Sequence, residues 1–290
     1  MKKKFHYLLL AVACCIAFAS CYTPRYMYSP NATNVPNLTT KGDSKLAAYY
    51  SFGNKGRRNL PGDERQEEFR NRGLDLQAAY ALSNHVGVLF NHSIRSEINS
   101  GSFENIVDSA VIRYKRRLTE FGVGYFGRFN KSKSMFQVFA GYSFGQSNFT
   151  DAGKDRSNIY YNRYHRAHIG KIFLQPAIQA DLSPNFTTSF VNRFNFVFFN
   201  NVQTDYTDEE QTRYLLDQVG KQTTVFWEPS IINNFGIKDL PGLRFELQFG
   251  FASLVSRKFL DYRTLNISIG TMADIRRLFA KKPAVKAKGK

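Results

Sequence analysis

Large apolar residues alternate with polar or small residues along most of the chain between positions 45 and 279. The clearest run is Leu243-Arg244-Phe245-Glu246-Leu247-Gln248-Phe249-Gly250-Phe251, in which every odd position is large and apolar. A period of two places successive side chains on opposite faces of a β-strand. Similar runs begin near residues 74, 136, 172, 186 and 265. We therefore expect an all-β domain in which each strand has one apolar face.

Short turns and longer polar connections separate these strands in alternation. Turn-forming residues occur at 83–85, 130–133, 183–185 and 239–242. Longer polar connections are expected at about 53–72, 98–108, 150–159, 203–220 and 256–261. The breaks delimit about ten strands. Two of these strands contain a proline, Pro176 and Pro229, and we expect bulges or bends there because proline removes a ladder hydrogen bond.

One short helix is expected in a long loop. In Thr207-Asp208-Glu209-Glu210 a threonine is followed three residues later by a glutamate, which is the capping-box arrangement at the start of a helix. The acidic residues here, together with Asp205, have the composition of a calcium site. Helix starts favour acidic residues in any case, so we expect no metal and no cofactor.

The N-terminus has the features of an export signal. Lys2, Lys3 and Lys4 precede a short apolar stretch that ends in Phe18-Ala19-Ser20-Cys21, and that stretch is too short to span a bilayer. The segment resembles the bacterial lipoprotein signal, which implies removal of residues 1–20 and attachment of lipid, such as palmitate, to Cys21. The alternative is an ordinary cleavage site that leaves Cys21 free. Cys14 and Cys15 are removed in either case, so the mature chain has no internal disulfide.

The rest of the chain divides by composition. Residues 21–44 contain several prolines and asparagines and no periodicity, and they are expected to form an extended tether. The folded domain is expected at 45–279, followed by a disordered basic tail at 280–290. The formal net charge of +17 suits anionic lipid headgroups or acidic polysaccharide, whereas export makes nucleic acid an unsuitable partner.

Alternating strands with short turns on one side and long loops on the other resemble transmembrane β-barrels of the bacterial outer membrane. Physical chemistry favours the same architecture, because a sheet that spans lipid must close on itself. We therefore predict an antiparallel up-and-down barrel of about ten strands. The last strand, residues 262–279, resembles a closing strand of such barrels, although Arg276 and Arg277 interrupt it.

The chain also resembles the lipoprotein-type outer-membrane β-barrel proteins of uncharacterised function found in Bacteroidota. The residues that carry this resemblance are Cys21-Tyr22-Thr23-Pro24, Lys41-Gly42-Asp43-Ser44-Lys45, Asp75-Leu76-Gln77-Ala78-Ala79-Tyr80-Ala81 and Arg113-Tyr114-Lys115. The resemblance implies a lipid-anchored protein of the outer membrane. It implies no activity and no catalytic residue.

A ten-stranded barrel has a narrow interior. The inward faces of the strands carry opposite charges, and we expect these to pair in a polar network that plugs the lumen: Lys171, Arg193, Glu228, Arg244 and Glu246. The competing interpretation is a polar pathway for a small solute. His165 and His168 are three residues apart and face opposite sides of a strand, so they cannot share a metal, and we expect no enzymatic activity.

Two function classes follow. The first is an outer-membrane barrel with a structural or surface-binding role, in which basic residues of Arg113-Tyr114-Lys115-Arg116-Arg117, with Arg163 and Arg166, attract lipopolysaccharide phosphates or acidic glycans at the loops. The second is a soluble periplasmic barrel, tethered by its lipid, that holds an apolar ligand inside. They differ in whether the apolar faces of the strands point outward to lipid or inward to a core.

Overall fold

Ten long antiparallel strands form a closed barrel. The computed structural model describes residues 25–53, 68–103, 107–129, 134–155, 157–238, 240–256 and 259–279. The barrel strands are β2 (Ser44–Gly53), β3 (Glu68–Ala81), β4 (Val86–Phe103), β5 (Val107–Arg128), β6 (Ser134–Asp155), β7 (Tyr160–Ser183), β8 (Phe186–Thr204), β9 (Thr224–Ile237), β10 (Leu240–Phe251) and β13 (Leu265–Asp274). Three two-residue strands accompany them: β1 (Met27–Tyr28), β11 (Ser253–Leu254) and β12 (Asp261–Tyr262).

Closure of the sheet is continuous. Each strand from β2 to β10 pairs with the next, β10 also pairs with β13, and β13 pairs with β2. The ring therefore has no free edge, as a sheet in lipid requires. The predicted all-β, antiparallel up-and-down barrel of about ten strands is confirmed.

The apolar faces of the strands point outward. Phe245 and Phe251 are about half exposed, as are Phe121, Ile172 and Ile269, whereas the alternate residues of each strand are buried. This exposed apolar belt is what lipid contact requires and what water disfavours. A soluble barrel with an apolar interior formed by these side chains, the second function class above, is therefore wrong.

Several strands are much longer than a bilayer requires. Strands β5, β6 and β7 contain 22, 22 and 24 residues, about twice the 9–11 residues that a tilted strand needs to cross lipid. Most residues of the predicted polar connections at 98–108 and 150–159 belong to strands instead of loops. Their outward residues are polar because they lie beyond the apolar belt, and this polarity hid the continuing alternation.

The predicted helix is confirmed at Asp208–Arg213. Thr207 accepts a hydrogen bond from the amide of Glu210, and the Glu210 side chain accepts one from the amide of Thr207. The expectation of a strand that continues to residue 279 is wrong, because β13 ends at Asp274 and a short helix, Ile275–Phe279, follows. Within the described residues, no helix is long and apolar enough to cross a membrane.

The two prolines within strands do not create bulges. The register of β7 with β8 is the same on both sides of Pro176, and that of β8 with β9 continues through Pro229. Pairing is interrupted only locally. The β7–β8 ladder has a gap between Leu174 and Ala177, and the pairing of β9 with β10 and β11 has a gap beside Pro229. A missing N–H group therefore costs these strands a few ladder bonds without shifting their pairing.

The chain before β2 lies inside the barrel. Residues 25–38, which we term the luminal segment, are buried almost throughout, with Arg25, Tyr28 and Leu38 each at most 2% exposed. The folded part therefore includes Arg25, and the expected start near Lys45 is wrong. The predicted signal and lipid site, within residues 1–24, and the predicted tail at 280–290 lie outside the described residues.

A tight turn connects the luminal segment to β2. Asp43 accepts hydrogen bonds from the amides of Thr39 and Thr40, both at 2.8 Å, and from the guanidinium of Arg276 at 3.0 Å. Burial alone would raise the pKa of the Asp43 carboxyl, but these hydrogen bonds outweigh burial and hold it below its ordinary value of 3.8. The charged carboxylate thus ties together the end of the luminal segment and the C-terminal helix.

We predict that Asp43→Ala lowers the free energy of unfolding at neutral pH by about 1–3 kcal/mol, because it removes hydrogen bonds to a charged group. The folded-state pKa is lowered, so this contribution is present above pH 3.8 and is lost as the pH falls through the lower folded value. Urea titration followed by circular dichroism in detergent measures the difference. Lys41→Ala, in the same turn, is the control, and an equal gap between wild type and Asp43→Ala at neutral and acidic pH would contradict the prediction.

Candidate functional site

The lumen is layered, and the luminal segment matches each layer. At the long-loop end, Tyr26, Met27 and Tyr28 join a cluster of buried aromatic and aliphatic residues from the upper strands and loops. At the short-turn end, Leu38 packs with Phe126, Phe139 and other apolar residues. Between these two apolar layers lies a mainly polar middle, in which Ala32 and Val35 each join a small apolar cluster with residues of the wall. The expectation of a polar interior therefore holds only for that middle part.

The aromatic layer at the long-loop end is closely packed. The ring of Tyr28 stacks on Phe226, with centroids 4.1 Å apart, and Tyr26 contacts Phe199 edge to face at 4.8 Å. The two-residue strand β1 pairs in parallel with β12, which belongs to the loop after β10. The layer therefore joins the luminal segment to the strands and to the long loops.

In the polar middle, the luminal segment hydrogen-bonds to side chains from opposite sides of the wall. Tyr28 donates to Glu228 at 2.7 Å, and Ser29 donates to Glu97 at 2.5 Å. The main chain is bound as well, and the partners of its groups are spread around the ring: Lys45, Gln77, Arg116, Gln175 and Gln248. Beyond β1, where the extended chain has no sheet neighbour, its backbone groups thus bind side chains of the wall.

The five residues that the sequence singled out for a luminal network are all buried, with exposures between 1% and 8%. They do not form one network among themselves. Lys171 and Arg193 both bind Glu120, while Glu228 accepts from Tyr28 and Glu246 lies 3.7 Å from Lys45. Arg244 lies apart, near the short turns, where it donates to the hydroxyl of Thr187 at 3.1 Å.

Glu120 on β5 is the central anion that the sequence prediction missed. Its Oε2 atom lies 2.8 Å from Lys171 Nζ and 2.9 Å from a guanidinium nitrogen of Arg193, and Ser143 donates to the same atom. Asn91 donates to Oε1 at 3.1 Å. The signal was available, because Phe121 and Val123 are apolar residues of the outward face, and Glu120 has the opposite parity.

Two further ion pairs lie among the inward residues. Arg95 binds Asp75 at 2.8 Å, and Arg263, from the loop before β13, binds Glu97 at 3.0 Å. Near the aromatic layer, Arg25 of the luminal segment lies 3.3 Å from Asp151 on β6. Charged groups therefore lie along much of the lumen, and these pairs place many of them beside an opposite charge.

The histidines give no support to a metal site. His165 is fully buried and stacks on Phe149 with centroids 5.1 Å apart, whereas His168 is exposed on the outside of the wall. The two side chains thus lie on opposite faces of β7, as their spacing predicted. Among the described residues, no group of three His, Cys, Asp or Glu side chains is placed to hold a metal ion.

No family model matches the chain, and no curated protein matches it. Among solved structures, the chain is similar to the translocator domain of the autotransporter NalP from Neisseria meningitidis, with a TM-score of 0.46 and 8% identity over 83% of this chain and 90% of that one. It is also similar to the Ralstonia pickettii toluene transporter TbuX, with a TM-score of 0.38 and 8% identity over 81% and 90%. For the outer membrane protein OprG from Pseudomonas aeruginosa, the TM-score is 0.31 and the identity is 10%, over 81% of this chain and 97% of that one.

OprG is described as an outer membrane protein, and the other two are described as a translocator domain and a toluene transporter. With identities of 10% or less and TM-scores below 0.5, the likeness carries no argument about what this chain does.

We predict that Glu120→Gln destabilises the barrel by about 3–5 kcal/mol, because it leaves Lys171 and Arg193 buried without their shared anion. The measurement is the urea concentration at which the detergent-solubilised protein loses its β-sheet circular dichroism. Glu209→Gln is the matched control, since Glu209 is 82% exposed and its pair with Arg213 lies in solvent, where such pairs contribute little. Equal effects of the two substitutions would refute the central role of Glu120.

Proposed function

We propose that this chain is a lipid-anchored outer-membrane β-barrel with a structural or surface-binding role, and that its own luminal segment closes its lumen. The observation that carries the proposal is the course of residues 25–38 through the interior. A closed sheet with an apolar outer belt supports a location in the outer membrane. The proposal includes no catalytic step.

Occlusion is supported by the number of directions from which the luminal segment is held. Side chains from eight of the ten barrel strands form hydrogen bonds or an ion pair with it, from Lys45 on β2 to Gln248 on β10. A ninth strand, β8, contacts it through the ring of Phe199. Apolar layers close both ends of the polar middle. A ten-stranded ring is narrow even without an occupant, so little room remains for a solute.

A narrow channel for small solutes is the competing function. It requires the luminal segment to leave the interior, which would break the hydrogen bonds of Tyr28, Ser29 and Thr33 with the wall. It would also leave Glu228 and Glu97 without those partners. The contacts therefore favour the closed barrel over the channel.

Ion conductance in planar lipid bilayers separates the two functions. We expect the purified wild-type protein to give no steady conductance, and a variant that lacks residues 25–38 to give open-channel steps. A shift in gel mobility between unheated and heated samples verifies that the variant retains a folded barrel. Steady conductance by the wild type would overturn occlusion, and a folded but silent deletion variant would show that other groups close the lumen.

The direction of the luminal segment bears on the lipid anchor. Arg25 lies at the long-loop end, near Tyr214 and Asp151, and that end faces outward in bacterial barrels. Four peptide units separate Cys21 from Arg25, a reach of at most about 14 Å. We therefore propose that a lipid on Cys21 enters the outer leaflet of the membrane beside the loops.

A membrane-impermeant maleimide tests this arrangement on intact cells. In the Thr23→Cys variant, with Cys21 acylated and the signal removed, the new thiol is the only one in the mature chain. We expect it to react on intact cells, and a thiol in the Lys41→Cys variant, at the short-turn end, to react only after the outer membrane is permeabilised. The reverse pattern would place the N-terminus on the periplasmic side. Loss of palmitate labelling in Cys21→Ser tests the acylation separately.

A further inference from the structure

Polar residues form three aligned rows on the outside of the wall, above the apolar belt. Across β5, β6 and β7, the register aligns Arg113 with Thr150 and Tyr164 in the first row. The second row aligns Lys115 with Asn148 and Arg166, and the third aligns Arg117 with Gln146 and His168. All these residues have the outward parity of their strands. We term the nine residues the basic wall patch.

The basic wall patch is concave. A groove of about 650 Å³ runs across it, lined by residues from β5 to β8 that include Arg113, Lys115 and Arg166. A bulge in β8 contributes to its far side, where Asn201 adopts a positive φ of 48° and its amide nitrogen lies 3.2 Å from Nδ1 of His168. The guanidinium of Arg166 lies 5.3 Å from the ring centroid of Tyr164, which orients it.

In the described part of the chain, no carboxylate pairs with the cations of the basic wall patch. Among the described residues, Arg113, Lys115, Arg117 and Arg166 are exposed and form no salt bridge. The patch itself contains no carboxylate. On the inner face, by contrast, Lys171 and Arg193 share the carboxylate of Glu120. Within the described part of the chain, the four outward cations therefore have no counterpart of Glu120.

The surface changes to hydrocarbon directly below the patch. The next row aligns Thr119 with Phe144, Gly170 and Phe198. The row below that aligns Phe121 with Tyr142, Ile172 and Phe196, each between 43% and 53% exposed. The ring of Phe198 covers Gly170 so closely that a side chain at position 170 would collide with it. Successive rows are two residues apart along the strands, which corresponds to about 7 Å. A single lipid molecule is therefore long enough to contact both the basic wall patch and the apolar belt.

We propose that the basic wall patch binds the phosphorylated headgroup of an outer-leaflet glycolipid, with the acyl chains of that lipid against Phe121, Phe144 and Ile172. An amphipathic molecule with phosphates next to its acyl chains fits both parts of the surface. Arginine and lysine are the residues that bind phosphate best, arginine in a two-pronged geometry. A free glycan fits the basic wall patch alone and does not explain why that patch lies directly above the apolar belt. The proposal rests on the proposed outer-membrane location.

Native mass spectrometry of the purified full-length protein in detergent tests the site. The probes are bis-phosphorylated lipid A, its dephosphorylated form and inorganic phosphate. We expect the triple variant Arg113→Gln, Lys115→Gln, Arg166→Gln to bind bis-phosphorylated lipid A about tenfold more weakly than wild type, since exposed ion pairs contribute modestly and together. We also expect wild type to prefer the phosphorylated lipid over the dephosphorylated one, and inorganic phosphate to compete poorly.

The control variant Lys41→Gln, Arg72→Gln, Lys221→Gln removes the same charge from exposed positions elsewhere and should bind within about twofold of wild type. Equal binding by both triple variants would overturn the site. Equal binding of the dephosphorylated lipid would show that phosphate is not recognised, and full competition by inorganic phosphate would show that the lipid is not required. Membrane fractionation of the wild type tests the proposed location independently, so the two proposals fail separately.

Discussion

A closed sheet in lipid has to turn hydrocarbon outward, and this constraint gathers the polar half of every strand into one narrow space. Ten strands leave little room for bulk water inside, and a charge in such a space is costly unless it is paired. The wall supplies part of the pairing through Glu120 with Lys171 and Arg193, and through Asp75 with Arg95. The luminal segment supplies another part, through Tyr28 and Ser29.

The luminal segment is specified by its surroundings, because its residues change character where the wall does. Tyr26, Met27 and Tyr28 occupy the aromatic layer, Ser29 and Thr33 the polar one, and Leu38 the lower apolar one. Such a segment has no period of its own, since it has neither a helical face nor a sheet face. The order of its residue types along the chain follows the order of the layers along the axis of the barrel.

This difference explains how much could be predicted from the sequence. Strands with an apolar face were recognisable from alternation alone, and parity alone assigned Lys171 and Arg193 to the interior. The helix at Asp208–Arg213 was recognisable because its cap is local, within four residues. The partners of the inward charges were not recognisable from the sequence. Glu120 and Arg193, for example, are far apart in sequence and meet only through the closure of the ring.

Other features escaped prediction for equally physical reasons. The extension of β5, β6 and β7 beyond the belt was hidden because their outward residues become polar in water while their inward residues become aromatic. The sequence of the luminal segment indicates a tether, because extended, aperiodic sequence is the same whether it lies in solvent or inside a wall. Only its partners, such as Gln77 and Gln248, distinguish the two.

The enclosure of the luminal segment has a consequence for kinetic stability. The segment is continuous with β2, and β2 pairs with β13 at the seam that joins the two ends of the sheet. Once that seam has formed, the segment cannot escape sideways. It leaves only by sliding along the axis, which breaks bonds to many strands together. Parting the seam releases the segment without this simultaneous loss, so unfolding through the seam avoids a barrier that axial escape has to cross.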